Sequence, residues 1–160
     1  MKNSELSSKT KSSEALLRRV FYGTSIVSII GFLDASYLTT KYYLGTPLNC
    51  SVFEGCELVT TSQYATIFAI PVALLGAFYY LLIFILSFMY LDAGVHFITR
   101  MLPPLTLIGF FASVWFVYLQ LFVIRAICIY CMGSAASSTI LLIMGLAVIK
   151  SQKVGGILKS

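Results

Sequence analysis

Charge is scarce in this chain. Six acidic and eleven basic residues amount to 11% of its 160 positions, and it has one histidine and one tryptophan. So few charged side chains cannot cover a water-soluble domain of this length. The single histidine, His96, argues against hydrolytic or metal chemistry built on imidazole. No haem ligand set, flavin fingerprint or iron–sulfur spacing is present, and neither is an internal repeat or a lipidation motif. Cysteine is limited to four residues.

Apolar residues are abundant: 59% of the chain is hydrophobic and the mean hydropathy is +0.92. Four runs, Val20 to Thr39, Thr66 to Leu91, Leu102 to Ile124 and Ile127 to Ile149, come near the ~20 residues that carry a helix across ~30 Å of hydrocarbon. They predict an all-α integral membrane protein, a four-transmembrane-helix bundle over residues 18–150. Residues 1–17, rich in Ser and Lys, are expected to form a flexible cytosolic tail, disordered over their first dozen or so positions. They do not read as a cleavable signal, because the run behind them is long enough to span and lacks a small-residue cleavage site. Residues 151–160 are expected to form a short C-terminal tail.

Basic residues set the orientation, since cytoplasmic flanks carry the Lys/Arg excess. Lys2, Lys9, Lys11, Arg18 and Arg19 precede the first run, Arg100 lies between the second and third, and Lys150, Lys153 and Lys159 follow the fourth. Only Lys41 and Arg125 fall on the other face. This predicts a multi-pass protein of the plasma membrane with both termini cytosolic. The net charge of +5 then follows from topology, with no nucleic-acid partner required.

The cysteines form two pairs, Cys50 with Cys56 and Cys128 with Cys131. Two crossings separate the pairs and return the chain to one face, the extracytoplasmic one, where disulfides form and persist. The run RAICIYCMGSAASS places Cys128 and Cys131 in the first turn of the fourth span, where i and i+3 share a helix face. Free N–H groups and the helix dipole favour a thiolate there, especially at Cys128, with Arg125 as a possible added positive charge. A pair of small core residues or a static bridge is the plainer reading. In CSVFEGC the cysteines would lie ~9 Å apart along a continuous helix, too far to bond, so the segment must turn, and Gly55 permits it. Judged alone, that pair is as readily a structural staple on the connection from Thr40 to Tyr64. Two dithiols near one another exchange electrons by thiolate attack on a disulfide, and at membrane depth the natural acceptor is a lipid-soluble quinone.

The run SYLTTKYYLGTPLNCSVFEGCELVTTSQYATIFAIPVALLGAFYY, followed by CIYC, resembles the bacterial and archaeal branch of the vitamin K epoxide reductase family. The likeness covers about Arg18 to Ile149. It rests on the C-x5-C loop, Ser62, the aromatic Tyr64, the proline-containing second helix and the C-x-x-C of the fourth. The resemblance implies a bundle around a quinone (menaquinone, ubiquinone or a relative), an extracytoplasmic loop, and a short half-helix leading into span two. It implies that Cys131 faces the quinone, Cys128 exchanges with Cys50 and Cys56 meets the partner, with Ser62 beside the quinone; locally Ser62 reads equally as an N-cap. Animal members carry Asn and Tyr at the quinone-side positions that are Val72 and Ala135 here, so groups tied to vitamin K epoxide are missing. Ala69 stands where a glycine is expected. The chain ends at Ser160, whereas some bacterial members continue into a thioredoxin-like domain. A separate extracytoplasmic thioredoxin-fold protein is therefore the expected partner, with membrane lipid and quinone around the bundle.

The function expected is a quinone-dependent thiol oxidase supporting disulfide-bond formation. Its rivals are a non-enzymatic tetraspan protein with static disulfides and a membrane protein holding zinc through four thiolates. Asp34 lies deep in the first run, where a carboxylate must be paired, protonated or near water. Gly133 to Ser138 give helix four a small-residue face, for close packing or for a flat ring. Pro71 is expected to kink the second span, and Pro103 with Pro104 to open the third. Tyr42, Tyr43, Tyr64 and Tyr130 are expected at the outer interface.

Overall fold

Backbone N–H and C=O groups in hydrocarbon must find partners within their own segment, and each of the four apolar runs does so as a helix. The computed structural model describes residues 2–45, 59–60, 62–67 and 70–157. In chain order these form α1 (Lys2–Leu44), β1 (Thr66–Ile67), β2 (Ile70–Pro71), α2 (Val72–Ala93), α3 (His96–Tyr118) and α4 (Ile129–Ile157). A π-helical turn, Leu119–Ile124, leads out of α3. The stretches long and apolar enough to cross a membrane are Ser12–Leu44, Val72–Ala93, Phe97–Ile124 and Ile129–Gln152, one for each expected span.

Several boundaries differ from the sequence expectation. Helix α1 begins at Lys2 and helix α4 runs to Ile157, each extending into a stretch expected as a tail. Pro71 does not kink the second span but stands just before it, in extended backbone at φ −63° and ψ 133°. A proline so placed removes no helical hydrogen bond, and the helix begins where donors resume. The residues before it form a minimal ribbon, with Thr66 paired to Pro71 and Ile67 to Ile70. Conversely, Pro103 and Pro104 lie inside α3, because that helix already starts at His96. The Thr106 hydroxyl donates to the Pro103 carbonyl at 2.9 Å. Cys50, Cys56 and Ala69 lie outside the described residues, as does most of the expected half-helix; Val59 and Thr60 are helical.

Side-chain distribution is that of a bundle in lipid. Phe78, Ile108, Phe111, Trp115, Phe122 and Ile143 point outward, while Thr24, Ser28, Thr106 and Ser138 are buried. Several small hydroxyl residues in the interior return their protons to the preceding turn, Thr24 to the Val20 carbonyl and Thr39 to that of Ala35, whereas the buried Ser87 and Ser151 hydroxyls have no hydrogen-bond partner.

Helix α1 packs mainly against α2 and α4, and α3 against α4, while α2 and α3 touch less. Glycines set the approach distances. A Cβ on Gly31 would lie 2.5 Å from the Tyr80 ring, and one on Gly109 would meet the Tyr79 hydroxyl. Each glycine thus admits a tyrosine from α2. At one end the rings of Phe21 and Tyr90 stack at 3.8 Å, and at the other Tyr37 meets Tyr130 at 5.2 Å. The end of α1 and the start of α4 therefore share one rim of the bundle.

Candidate functional site: a thiol pair at the mouth of an apolar cavity

The C-x-x-C pair occupies the position its spacing predicts. Helix α4 begins at Ile129, and the Met132 N–H donates to the Cys128 carbonyl at 3.0 Å, which makes Cys128 the N-cap residue and puts Cys131 in the first turn. An N-cap side chain faces the free N–H groups of the first turn. The Cys128 thiol is accordingly held below the usual thiol range, at about 7, by a hydrogen bond from the Cys131 side chain and by the backbone N–H groups of Cys131 and Tyr130, against the opposing effect of burial. Arg125, considered above as a positive charge near the thiol, is not among the groups acting on it. Its role is in the backbone: at φ 55° it occupies the left-handed region, rare for a residue with a Cβ, and turns the chain out of the π-helical segment.

That segment carries a residue the sequence reading missed. Gln120 is buried. Its backbone carbonyl accepts from the Ala126 N–H at 3.1 Å, and its side-chain Oε1 accepts from the Cys128 N–H at 3.2 Å. The amide therefore holds the loop between α3 and α4 closed and fixes the N-cap cysteine. The signal was available: Gln120 is the only amide side chain in the third apolar run, and a polar group at that depth calls for a partner. Replacing it with leucine leaves a buried N–H unpaired, and we expect a loss of about 1–3 kcal/mol, measurable as a lower unfolding midpoint in detergent.

The thiol assignment makes a second prediction. Removing the Cys131 side chain removes the foremost stabiliser of the Cys128 thiolate, so Cys131→Ala should raise the Cys128 pKa from about 7 toward the ordinary thiol value of ~8.5. Because the acid form is neutral, thiolate is present above the pKa and lost below it. Thiolate ultraviolet absorbance followed against pH should show its midpoint move upward in the variant, and an unmoved midpoint would contradict the assignment.

The two cysteines face different surroundings. Cys128 is fully buried and packs with Val59 and Ala126. Cys131 borders a cavity of about 410 Å³ lined from all four helices, including Leu38 of α1, Gly76 of α2, Phe116 of α3 and Ser134 of α4. The four residues expected around a quinone, Ser62, Val72, Cys131 and Ala135, all line this one cavity. Ser62 is not the N-cap of α2, which starts ten positions later; its hydroxyl donates to the Val59 carbonyl at 2.8 Å. Tyr42 and Tyr64 also line the cavity, whereas Tyr130 stacks toward Tyr37. Of the small-residue face, Ser134, Ala135 and Ser138 border the cavity, while Gly133 faces open space. Asp34 carries a buried Oδ2 with no hydrogen-bond partner.

The cavity suits a flat, mostly apolar ligand bearing a few polar atoms. Its volume lies in the range of small-molecule sites, and its mostly apolar wall includes a few polar side chains, Ser62, Ser113 and Gln120 among them. A quinone ring meets those demands. Among the described residues no group of three or more His, Cys, Asp or Glu stands close enough to hold a metal.

Four membrane-length helices around an apolar cavity bordered by a cysteine define a helical membrane protein with a ligand-sized site. The chain is a member of the vitamin K epoxide reductase family, whose family model matches residues 24–146. The match covers most of the chain and makes it a multi-pass membrane protein from a family of oxidoreductases that act with quinones. Comparison with individually curated proteins gives no match.

Proposed function

We propose that this protein is a quinone-dependent thiol oxidase: it takes electrons from a thioredoxin-fold protein outside the cytoplasm and passes them through Cys50/Cys56 and Cys128/Cys131 to a membrane quinone. The observation that carries the reading is the division of the C-x-x-C pair. Cys131 borders the cavity, and Cys128 lies beneath Val59, three residues beyond Cys56 in sequence. A pair serving only as a staple needs no such division. The Lys/Arg asymmetry supports placing this rim on the extracytoplasmic side, with both termini in the cytosol.

In this scheme the Cys50 thiolate attacks the Cys128 sulfur of the Cys128–Cys131 bridge, and Cys131 leaves. Cys56 then attacks Cys50, re-forming the loop bridge and releasing Cys128. The low pKa of Cys128 suits it to leaving, since a more acidic thiol departs faster. The inner pair ends as a dithiol and the loop pair as a disulfide, so the electrons balance. A bound quinone supplies the final acceptance of two electrons and two protons. The residues holding it would be Ser62, Val72, Ala135 and the wall around Cys131, with apolar side chains excluding water from the ring.

The test is a reconstituted system of purified protein, a short-chain quinone and a reduced thioredoxin-fold protein. Quinol should accumulate one for one with the thiol pairs consumed. Consumption of thiols without quinol, or no consumption, would rule the proposal out.

A further inference from the structure

We propose that Asp34 is the proton partner of Cys128: it binds a proton when Cys128 is released as a thiolate and gives it up when the Cys128–Cys131 bridge forms again. This end of the bundle then carries one negative charge in either state. The proposal rests on the reading of the C-x-x-C pair as a redox couple and specifies how that couple handles protons. Asp34 is the one acidic residue in the four apolar runs.

Its own helix places Asp34 against the thiol pair. Ala35, next in sequence, and Leu38, one turn on, border the same cavity as Cys131, and Tyr37, also one turn on, meets Tyr130 at 5.2 Å. Residues three and four apart share a helix face, so Asp34 lies on the side of α1 that turns toward the start of α4. Its Oδ2 is buried and accepts no hydrogen bond. On α2, Tyr80 lies within reach of the carboxylate charge, but its hydroxyl is engaged with Ser134. On α4 and its cap the groups within reach are Cys128, Tyr130 and Cys131. Among the described residues no cation acts on Asp34; Lys41, two turns along α1, stands over the Tyr37 ring at 5.9 Å.

A buried carboxylate without donor or cation is costly, and a second anion nearby makes it costlier, so two acidic groups in such a site ionise one at the expense of the other. Asp34 and Cys128 stand in that relation. The Cys131 side chain and the first-turn N–H groups draw the Cys128 thiol down, and the like charge of Asp34 opposes them. In the exchange proposed above, the Cys56 thiol loses its proton as its sulfur bonds to Cys50, the Cys50–Cys128 bond breaks, and the electron pair leaves on Cys128. The proton lost by Cys56 is balanced by the one Asp34 gains. When the pair is oxidised and its two electrons pass to the quinone, the thiolate charge disappears and Asp34 ionises again.

The test uses protein carrying Cys50→Ala and Cys56→Ala, in nanodiscs and without quinone, so that only the C-x-x-C pair responds. Infrared difference spectra between the bridge and the dithiol made with dithiothreitol, recorded near the Cys128 midpoint of about 7, should show a carboxylic acid carbonyl band appearing on reduction. Asp34→Asn should abolish that band and Asp34→Glu should shift it. Thiolate absorbance followed against pH should have its midpoint below about 7 in Asp34→Asn, because a like charge has gone, and near the parent value in Asp34→Glu. A carboxyl that serves packing alone would leave both readouts unmoved. No band in the parent, a band that survives Asp34→Asn, or a midpoint that stays or rises in that variant would each overturn the proposal and leave the redox reading standing. Should Asp34→Asn not fold, the parent band and its shift in Asp34→Glu decide. A pair that cannot be cycled between bridge and dithiol would overturn the redox reading itself and this proposal with it.

Discussion

Cys128→Ala and Cys131→Ala should each reduce quinol formation by a factor on the order of 10³ or more, because residues acting as one chemical unit fail together when either is removed. The two losses should differ in kind. Without Cys131 the sulfur bordering the cavity is gone, and the Cys128 thiolate can only attack the oxidised loop pair in the reverse sense, forming a mixed disulfide with Cys50 while Cys56 leaves, and the exchange goes no further. Without Cys128 the loop loses its contact, and no such adduct forms. Non-reducing mass spectrometry of the two variants during turnover separates these outcomes. Equal residual turnover near wild-type levels in either variant would mean that the pair is a bridge of no catalytic consequence. Expression and unfolding midpoints should change little for Cys131→Ala, since the site is only partly buried.

The largest effect on stability is expected at Tyr80. Its ring fills the contact made possible by Gly31, it is 2% exposed, and its hydroxyl donates to the Ser134 carbonyl and lies 3.0 Å from the Ser134 Oγ. Tyr80→Ala removes a large buried ring and leaves a void where α1, α2 and α4 meet, which should cost about 3–5 kcal/mol. Tyr80→Phe keeps the ring and loses the hydrogen bond, for about 1 kcal/mol. Steric-trap or denaturant unfolding in detergent measures both. A Tyr80→Ala protein as stable as Tyr80→Phe would mean that the ring does not anchor the bundle. In the same assay Gly31→Ala should also destabilise, since its Cβ would come within 2.5 Å of that ring; the ring can withdraw only by giving up Ser134.

Much of the architecture could be read from hydropathy alone, because a helix in lipid satisfies its backbone locally and leaves few alternatives. The thiol pair at the start of α4 was equally legible, since C-x-x-C at a helix N-terminus has direct physical consequences for the thiol. Boundaries were less so. Pro71 and the Pro103–Pro104 pair exchanged roles because proline restricts backbone without saying on which side of it a helix lies. The π-helical turn left no pattern, and Arg125 takes a left-handed conformation where neither glycine nor asparagine signals one. The surroundings of Tyr79 and Tyr80 were invisible for another reason: what a hydroxyl meets depends on its neighbours in space. Adjacent tyrosines in GAFYY look alike in sequence, yet Tyr80 packs on Gly31 and donates to Ser134 while the Tyr79 hydroxyl lies against Gly109.

The central claim is that the dithiol at the rim of the cavity reduces a ligand held within it. It is tested most directly by a single turnover without any partner: fully reduced protein carrying Cys50→Ala and Cys56→Ala, so that the loop cannot take the bridge over, in nanodiscs, without oxygen, mixed with menadione and quenched with an alkylating reagent. The account predicts menadiol formed in equal amount to a new Cys128–Cys131 disulfide identified by mass spectrometry. Menadiol without that bridge, or both cysteines recovered alkylated with menadione unchanged, would contradict it.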